Sequence, residues 1–172
     1  VALLWVALYR RAASRERLNL VTMGVMLLQS IAFYCFYQQM QTSLTLFALT
    51  HVDGTFRLAG HALFTLSAAQ FQALNPIFII LLSPLLAKLY HALARRHRDF
   101  SLPTKFAAGF GFVALAFFIW WGGTYLAGPG LTSAWPMLGG YFALATAELL
   151  IGGLGLAVIA RYAPARLNGL MV

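Results

Sequence analysis

Four apolar stretches, at residues 18–50, 69–93, 106–127 and 135–160, are each long enough to cross a lipid bilayer. A hydrocarbon core takes about 20 apolar residues of helix. No water reaches that core, so the backbone must satisfy its own hydrogen bonds, and a helix does this within one segment. The composition agrees: 61% of the residues are hydrophobic and only 9% charged, where a soluble domain carries about 25% charged residues. No strand pattern or low-complexity segment stands out. The expected class is an all-α, polytopic membrane helix bundle.

The formal net charge is +8, but it is clumped between the apolar stretches. That pattern argues against nucleic acid as a partner and for orientation in a membrane. Counting Lys88 with its neighbouring loop, the segments around 10–17, 94–105 and 161–166 hold four, five and two of the 12 basic residues. The alternate loops, 51–61 and 128–134, hold only Arg57. Basic loops stay inside, so 10–17, 94–105 and 161–166 are expected to be cytoplasmic. Residues 1–9 read as the end of a preceding helix and 167–172 as the start of the next. The chain is therefore expected to be a piece of a longer protein. Cys35 lies in an apolar run and reads as a small buried hydrophobe.

The residue that most invites a function is Glu148, the one acid inside an apolar stretch; Glu16, Asp53 and Asp99 fall in loops. An ionisable group at membrane depth costs at least ~2.5 kcal/mol and tends to face protein or a watery cavity. Such a carboxylate suits proton carriage or the binding of an ammonium group, with a structural hydrogen bond to a neighbouring helix as the plainer reading.

Asn75 comes next. It precedes Pro76, whose missing N–H and bulky ring disturb a helix. A broken helix with a polar side chain is a common way to build a transporter site, although Asn75 equally serves as a cap to the kink. A polar stripe, Gln38, Gln39, Thr42 and Thr45, interrupts the first stretch. Gln38, Thr42 and Thr45 have the spacing of one helical face, which suits a cavity lining or interhelical hydrogen bonding. Gly153 and Ala157 form a small-xxx-small pair for close helix approach. Phe117, Phe118, Trp120 and Trp121 read as an interfacial aromatic belt. His51, His61, His91 and His97 lack metal-ligand spacing. No nucleophile elbow, phosphate loop or metal motif is visible, so an enzyme is not expected.

In four places the sequence resembles the proton-dependent oligopeptide transporter family, in its bacterial di- and tripeptide permease branch of the major facilitator superfamily. YQQMQTSLTLFA (37–48) is similar to the family's seventh helix and FQALNPIFIILLSPLLAKLY (71–90) to its eighth. LPTKFAAGFGF (102–112) resembles the start of the ninth. AELLIGGLGLAVIARYAPARLNGLMV (147–172) resembles the tenth and the start of the eleventh. The stretches run in order, at matching spacing.

The resemblance implies a major-facilitator-type bundle, about helices 7 to 10 plus the start of 11, with the N-terminal half of the transporter elsewhere. It implies proton-coupled symport of di- and tripeptides across the inner membrane by alternating access, with the proton as coupling ion and no cofactor. The substrate-binding residues it implies are Glu148 and Asn75 for the peptide's amino group, with Gln39, Gln38 and Thr42 beside them. This chain departs from the family in three ways: Gln38 is neutral where many members carry an acid, Thr45 replaces an asparagine, and Gly152 replaces a serine. The rivals are a non-transporting receptor or assembly scaffold and a related transporter of a non-peptide solute.

Overall fold

The computed structural model describes residues 14–96 and 101–152, with side chains from Arg17 onward. The expected helix end at 1–9, most of the loop 10–17 and the middle of the loop 94–105 lie outside these residues. So do the remainder of the 135–160 span with Gly153, Gly155 and Ala157, the loop 161–166, and the helix start at 167–172.

The chain runs α1 (Ser14–Gln38), α2 (Ser43–His51), β1 (Thr55–Leu58), β2 (His61–Thr65), α3 (Ala68–Gln72), α4 (Leu74–Arg95), α5 (Leu102–Ala127) and α6 (Trp135–Ile151). Three stretches, Arg17–His51, Ala68–Arg95 and Leu102–Ala127, are long and apolar enough to cross a membrane. Local signals set the helix starts. Ser67 and Gln70 close a reciprocal capping box on α3, the arrangement that satisfies two orphan N–H groups at once. The Ser101 hydroxyl caps α5 by accepting from the Thr104 N–H at 3.3 Å, which starts that helix at Leu102, four residues before the expected boundary.

Two spans that read as continuous are interrupted. Between α1 and α2, Gln39, Met40 and Gln41 donate to carbonyls three residues back, and Leu44 donates five residues back to Gln39. The backbone tightens and then widens with no glycine or proline to blame. The cause lies in side chains that compete for backbone carbonyls: Thr42 Oγ1 donates to the Gln38 carbonyl at 3.1 Å and Thr45 Oγ1 to that of Met40 at 3.0 Å. Gln38, Thr42 and Thr45 therefore do not form one continuous helical stripe. The second span steps at Ala73, between α3 and α4, three residues before Pro76.

The loop after α2 also differs from its reading. Thr55–Leu58 and His61–Thr65 pair as an antiparallel hairpin. Its two-residue turn places Ala59 at φ 50° and Gly60 at φ 86°, the left-handed values that two-residue hairpin turns need. The Phe56 ring is fully buried, stacked on Phe64 and edge-on to Trp135. The hairpin meets the α5–α6 turn: Asp53 N donates to Thr132 O at 2.8 Å and Thr132 N to His51 O at 2.7 Å. The Trp135 indole donates to the Arg57 carbonyl at 2.9 Å. The two loops poor in basic residues thus lie together at one end of the bundle.

The core is an antiparallel seam between α5 and α6. Leu102, Phe106, Gly109, Val113, Ala116 and Trp120 are buried on α5, at alternating steps of four and three, the spacing of one helix face. Small residues let the backbones close in: Gly109 lies under Ile151, Gly123 against Pro136 and Gly140 under the Trp120 ring. Trp120 is thus buried, while Phe118 and Trp121 stay exposed as a belt would place them. Along the middle of α4 the outward side chains include Ile80, Leu81, Leu85 and Leu89. The one buried residue of that helix is Asn75.

Candidate functional site

Asn75 sits in the first turn of α4, directly after the step at Ala73. It is only 2% exposed. Its Nδ2 donates to Glu148 Oε2 at 2.8 Å, across 73 residues of sequence. The same nitrogen donates to the Tyr37 hydroxyl at 3.3 Å, so both N–H groups of the carboxamide are engaged. Its oxygen, Oδ1, is buried and has no hydrogen-bond partner among the described residues. A buried acceptor left without a donor costs about 1–3 kcal/mol.

Glu148 is half-buried in the last described turn of α6. Tyr37 is half-buried near the end of α1, and its hydroxyl shares the Asn75 carboxamide with Glu148. Its ring is fixed against Phe33 and Tyr34, with centroids 6.0 and 6.2 Å away. The site thus joins three spans. Two of them carry their site residue beside a helix interruption, Tyr37 before the α1–α2 break and Asn75 after the Ala73 step. Interrupted helices that gather polar side chains at membrane depth are how transporters build solute sites.

Sequence reasoning named Glu148 and Asn75, and the structure brings these two together. Gln38, Gln39 and Thr42 gather instead at the α1–α2 break. Gln39 Oε1 accepts from Ser43 Oγ at 2.6 Å and lines a cavity of about 260 Å³ with Ser43, Phe47, Trp120 and Thr124. No hydrogen bond among the described residues links these three to Asn75 or Glu148. Two polar residues went unnoticed: Tyr37, and Gln72, whose amide donates to Thr45 Oγ1 at 2.6 Å. Tyr37 lies four residues after Phe33 in an aromatic run, and only that spacing hints that it shares a buried face.

A carboxylate and a carboxamide paired beside an interrupted helix in a multi-span bundle is an arrangement found in secondary transporters. The model of the POT family matches residues 4–172, and the chain belongs to that family. It is part of a multi-pass membrane protein. It is similar to dipeptide and tripeptide permease B of Yersinia enterocolitica, 35% identical over 172 residues, covering 95% of this chain and 33% of the relative. The permease B of Salmonella typhimurium is 36% identical over 149 residues, covering 86% of this chain and 29% of that protein. The chain thus spans about a third of the length of these relatives.

Among solved structures, it is similar to a peptide transporter POT in complex with sulfate, at a TM-score of 0.86 and 29% identity, covering 99% of this chain and 34% of that one. It is also similar to tetrameric PepTSo2, at a TM-score of 0.74 and 43% identity, covering 91% of this chain and 32% of that one. The fold is of the major-facilitator type.

Proposed function

We propose that this chain forms the front part of the C-terminal six-helix bundle of a transporter that carries di- and tripeptides with protons across the inner membrane by alternating access. Glu148 and Asn75 take the peptide's ammonium group. An ammonium group has only donors to offer, so it needs a negative acceptor and a neutral one, and charge-assisted hydrogen bonds are the strong ones. The observation that carries this reading is the 2.8 Å bond between Asn75 and Glu148 together with the buried Asn75 oxygen, which has no partner among the described residues.

In this reading Glu148 also exchanges a proton during the cycle, and Gln38, Gln39 and Thr42 line the translocation cavity that the two halves of the transporter enclose. The other half of the translocation path comes from the N-terminal half of the transporter. The loops 10–17, 94–105 and 161–166 face the cytoplasm, and the two loops poor in basic residues, which meet at one end of the bundle, face the other side.

The test is uptake of labelled dialanine into proteoliposomes by the whole protein under an inward proton gradient, for wild type and Glu148→Gln. The expected result is gradient-driven uptake that the substitution abolishes while insertion and folding persist. No uptake by well-folded wild type overturns the peptide reading. Uptake that survives the substitution removes the role given to Glu148.

A further inference from the structure

We propose that Tyr37 is a positioning residue for amine recognition: its phenol holds the Asn75 carboxamide with the nitrogen toward Glu148 and the oxygen free to accept from a ligand. The inference rests on the peptide reading above and deepens it.

A carboxamide has two ends of nearly equal shape and opposite chemistry. Which end faces Glu148 decides what the site binds. With Nδ2 toward the carboxylate, as observed, Oδ1 remains an acceptor and adds to the negative charge offered to an ammonium group. Turned over, Oδ1 would face the Glu148 oxygens with no proton between them, and the N–H groups would repel a cationic ligand.

Glu148 alone holds only one of the two N–H groups. Tyr37 holds the other, at 3.3 Å. The Asn75 carboxamide thus bridges the two side chains, each of its N–H protons on one acceptor. Turning the amide breaks both bonds and sets Oδ1 against the Glu148 carboxylate. As observed, Oδ1 is left out of these bonds, buried and without a hydrogen-bond partner among the described residues.

The position of the phenol is itself fixed. The Tyr37 ring lies edge-on to Tyr34 and tilted on Phe33, and Phe33 is fully buried. The helix ends one residue later, at Gln38, which sets Tyr37 at the lip of the break. Removing the hydroxyl therefore leaves the ring contacts in place and takes away only the hydrogen bond.

The test is Tyr37→Phe in the whole protein, with dialanine uptake and inhibition by dialanine and by its N-acetyl derivative, which lacks the ammonium group. KM for dialanine should rise roughly tenfold, the scale of one hydrogen bond to a charged group, while the maximal rate stays within about twofold. The preference for free over acetylated peptide should fall by the same factor. A merely structural hydroxyl would lower the rate and leave that preference untouched, and this outcome overturns the proposal. An unchanged KM and preference in Tyr37→Phe, alongside lost uptake in Glu148→Gln, overturns it while sparing the amino-group site. Absence of uptake in wild type, or uptake retained by Glu148→Gln, overturns the parent reading and this inference with it.

Discussion

The indole of Trp120 lies so close over Gly140 that a β-carbon on residue 140 would overlap the ring nitrogen and its neighbours. This contact sets the distance between α5 and α6 where Trp120 and Gly140 face each other. Gly140→Ala must push the helices apart or expel the indole, and overpacking of this kind costs about 1–3 kcal/mol. Gly111 on α5 has open space around its would-be β-carbon, so Gly111→Ala serves as the control. Unfolding of the purified protein in detergent should show a lowered midpoint for Gly140→Ala and an unchanged or raised one for Gly111→Ala. Equal midpoints for the two variants would sink the close-contact argument.

Asn75 offers Glu148 a donor, and replacements at this position separate charge from shape. Asn75→Asp keeps the size but sets a second carboxyl group against Glu148, where like charges disfavour each other. Asn75→Ser keeps a small donor. If Asn75 completes an ammonium site, KM for dialanine should rise about 10- to 100-fold in Asn75→Asp, as expected for a lost hydrogen bond to a charged group. The rise should be smaller in Asn75→Ser. Concentration-dependent uptake in proteoliposomes gives both values, and a KM for Asn75→Asp equal to wild type would remove Asn75 from the site.

At the hairpin end, Asp53 accepts from the Thr55 N–H at 3.0 Å and lies 3.3 Å from the Arg57 guanidinium. The hydrogen bond from the Thr55 backbone, then that from its side chain, and more weakly Arg57, hold the carboxyl below its ordinary value. A carboxyl with a lowered folded-state pKa stabilises the fold above its unfolded pKa, about 3.9, and that stabilisation is lost as pH falls through the folded value. The hairpin should therefore loosen in acid, in a step that begins below about pH 5 and that Asp53→Asn lacks. Hydrogen-exchange mass spectrometry over residues 52–66, corrected for intrinsic rates, reads this step. Arg57→Ala should weaken it only slightly, because both partners are solvent-exposed.

What could be read from the sequence follows from what each residue must overcome. Glu148 and Asn75 were legible because a carboxylate and an Asn-Pro pair are anomalies in apolar helix, and anomalies at membrane depth need partners. Length and hydropathy marked Arg17–His51, Ala68–Arg95 and Leu102–Ala127, which are long and apolar enough to cross a membrane. The α1–α2 break was not legible, because Thr42 and Thr45 break the helix by bonding carbonyls, and the same residues fit a continuous amphipathic face equally well. The hairpin was hidden because its strands are only four and five residues long. The signal lay in the Ala59–Gly60 pair between the short runs TFRL and HALFT. Trp120 has the composition of a belt residue, and only the glycine on a helix twenty residues away makes it a core residue.

The two helix interruptions are tied to each other. Gln72, the last residue of α3, donates from Nε2 to Thr45 Oγ1 at 2.6 Å, and Thr45 in turn donates to the Met40 carbonyl at 3.0 Å. One hydroxyl thus braces the break between α1 and α2 and fastens it to the segment just before the Ala73 step. Thr45→Val keeps the shape and removes both bonds, leaving the Gln72 amide half-buried without its acceptor. That should cost about 1–3 kcal/mol, whereas replacing both partners with apolar groups is far milder. The double variant Thr45→Val with Gln72→Leu should therefore lose less stability than the two single variants added together, with a coupling of about 0.5–3 kcal/mol. Thr45→Ser, which keeps the hydroxyl, should stay close to wild type. Unfolding midpoints for the four proteins of the cycle decide the matter: strict additivity would mean that the two interruptions stand independently.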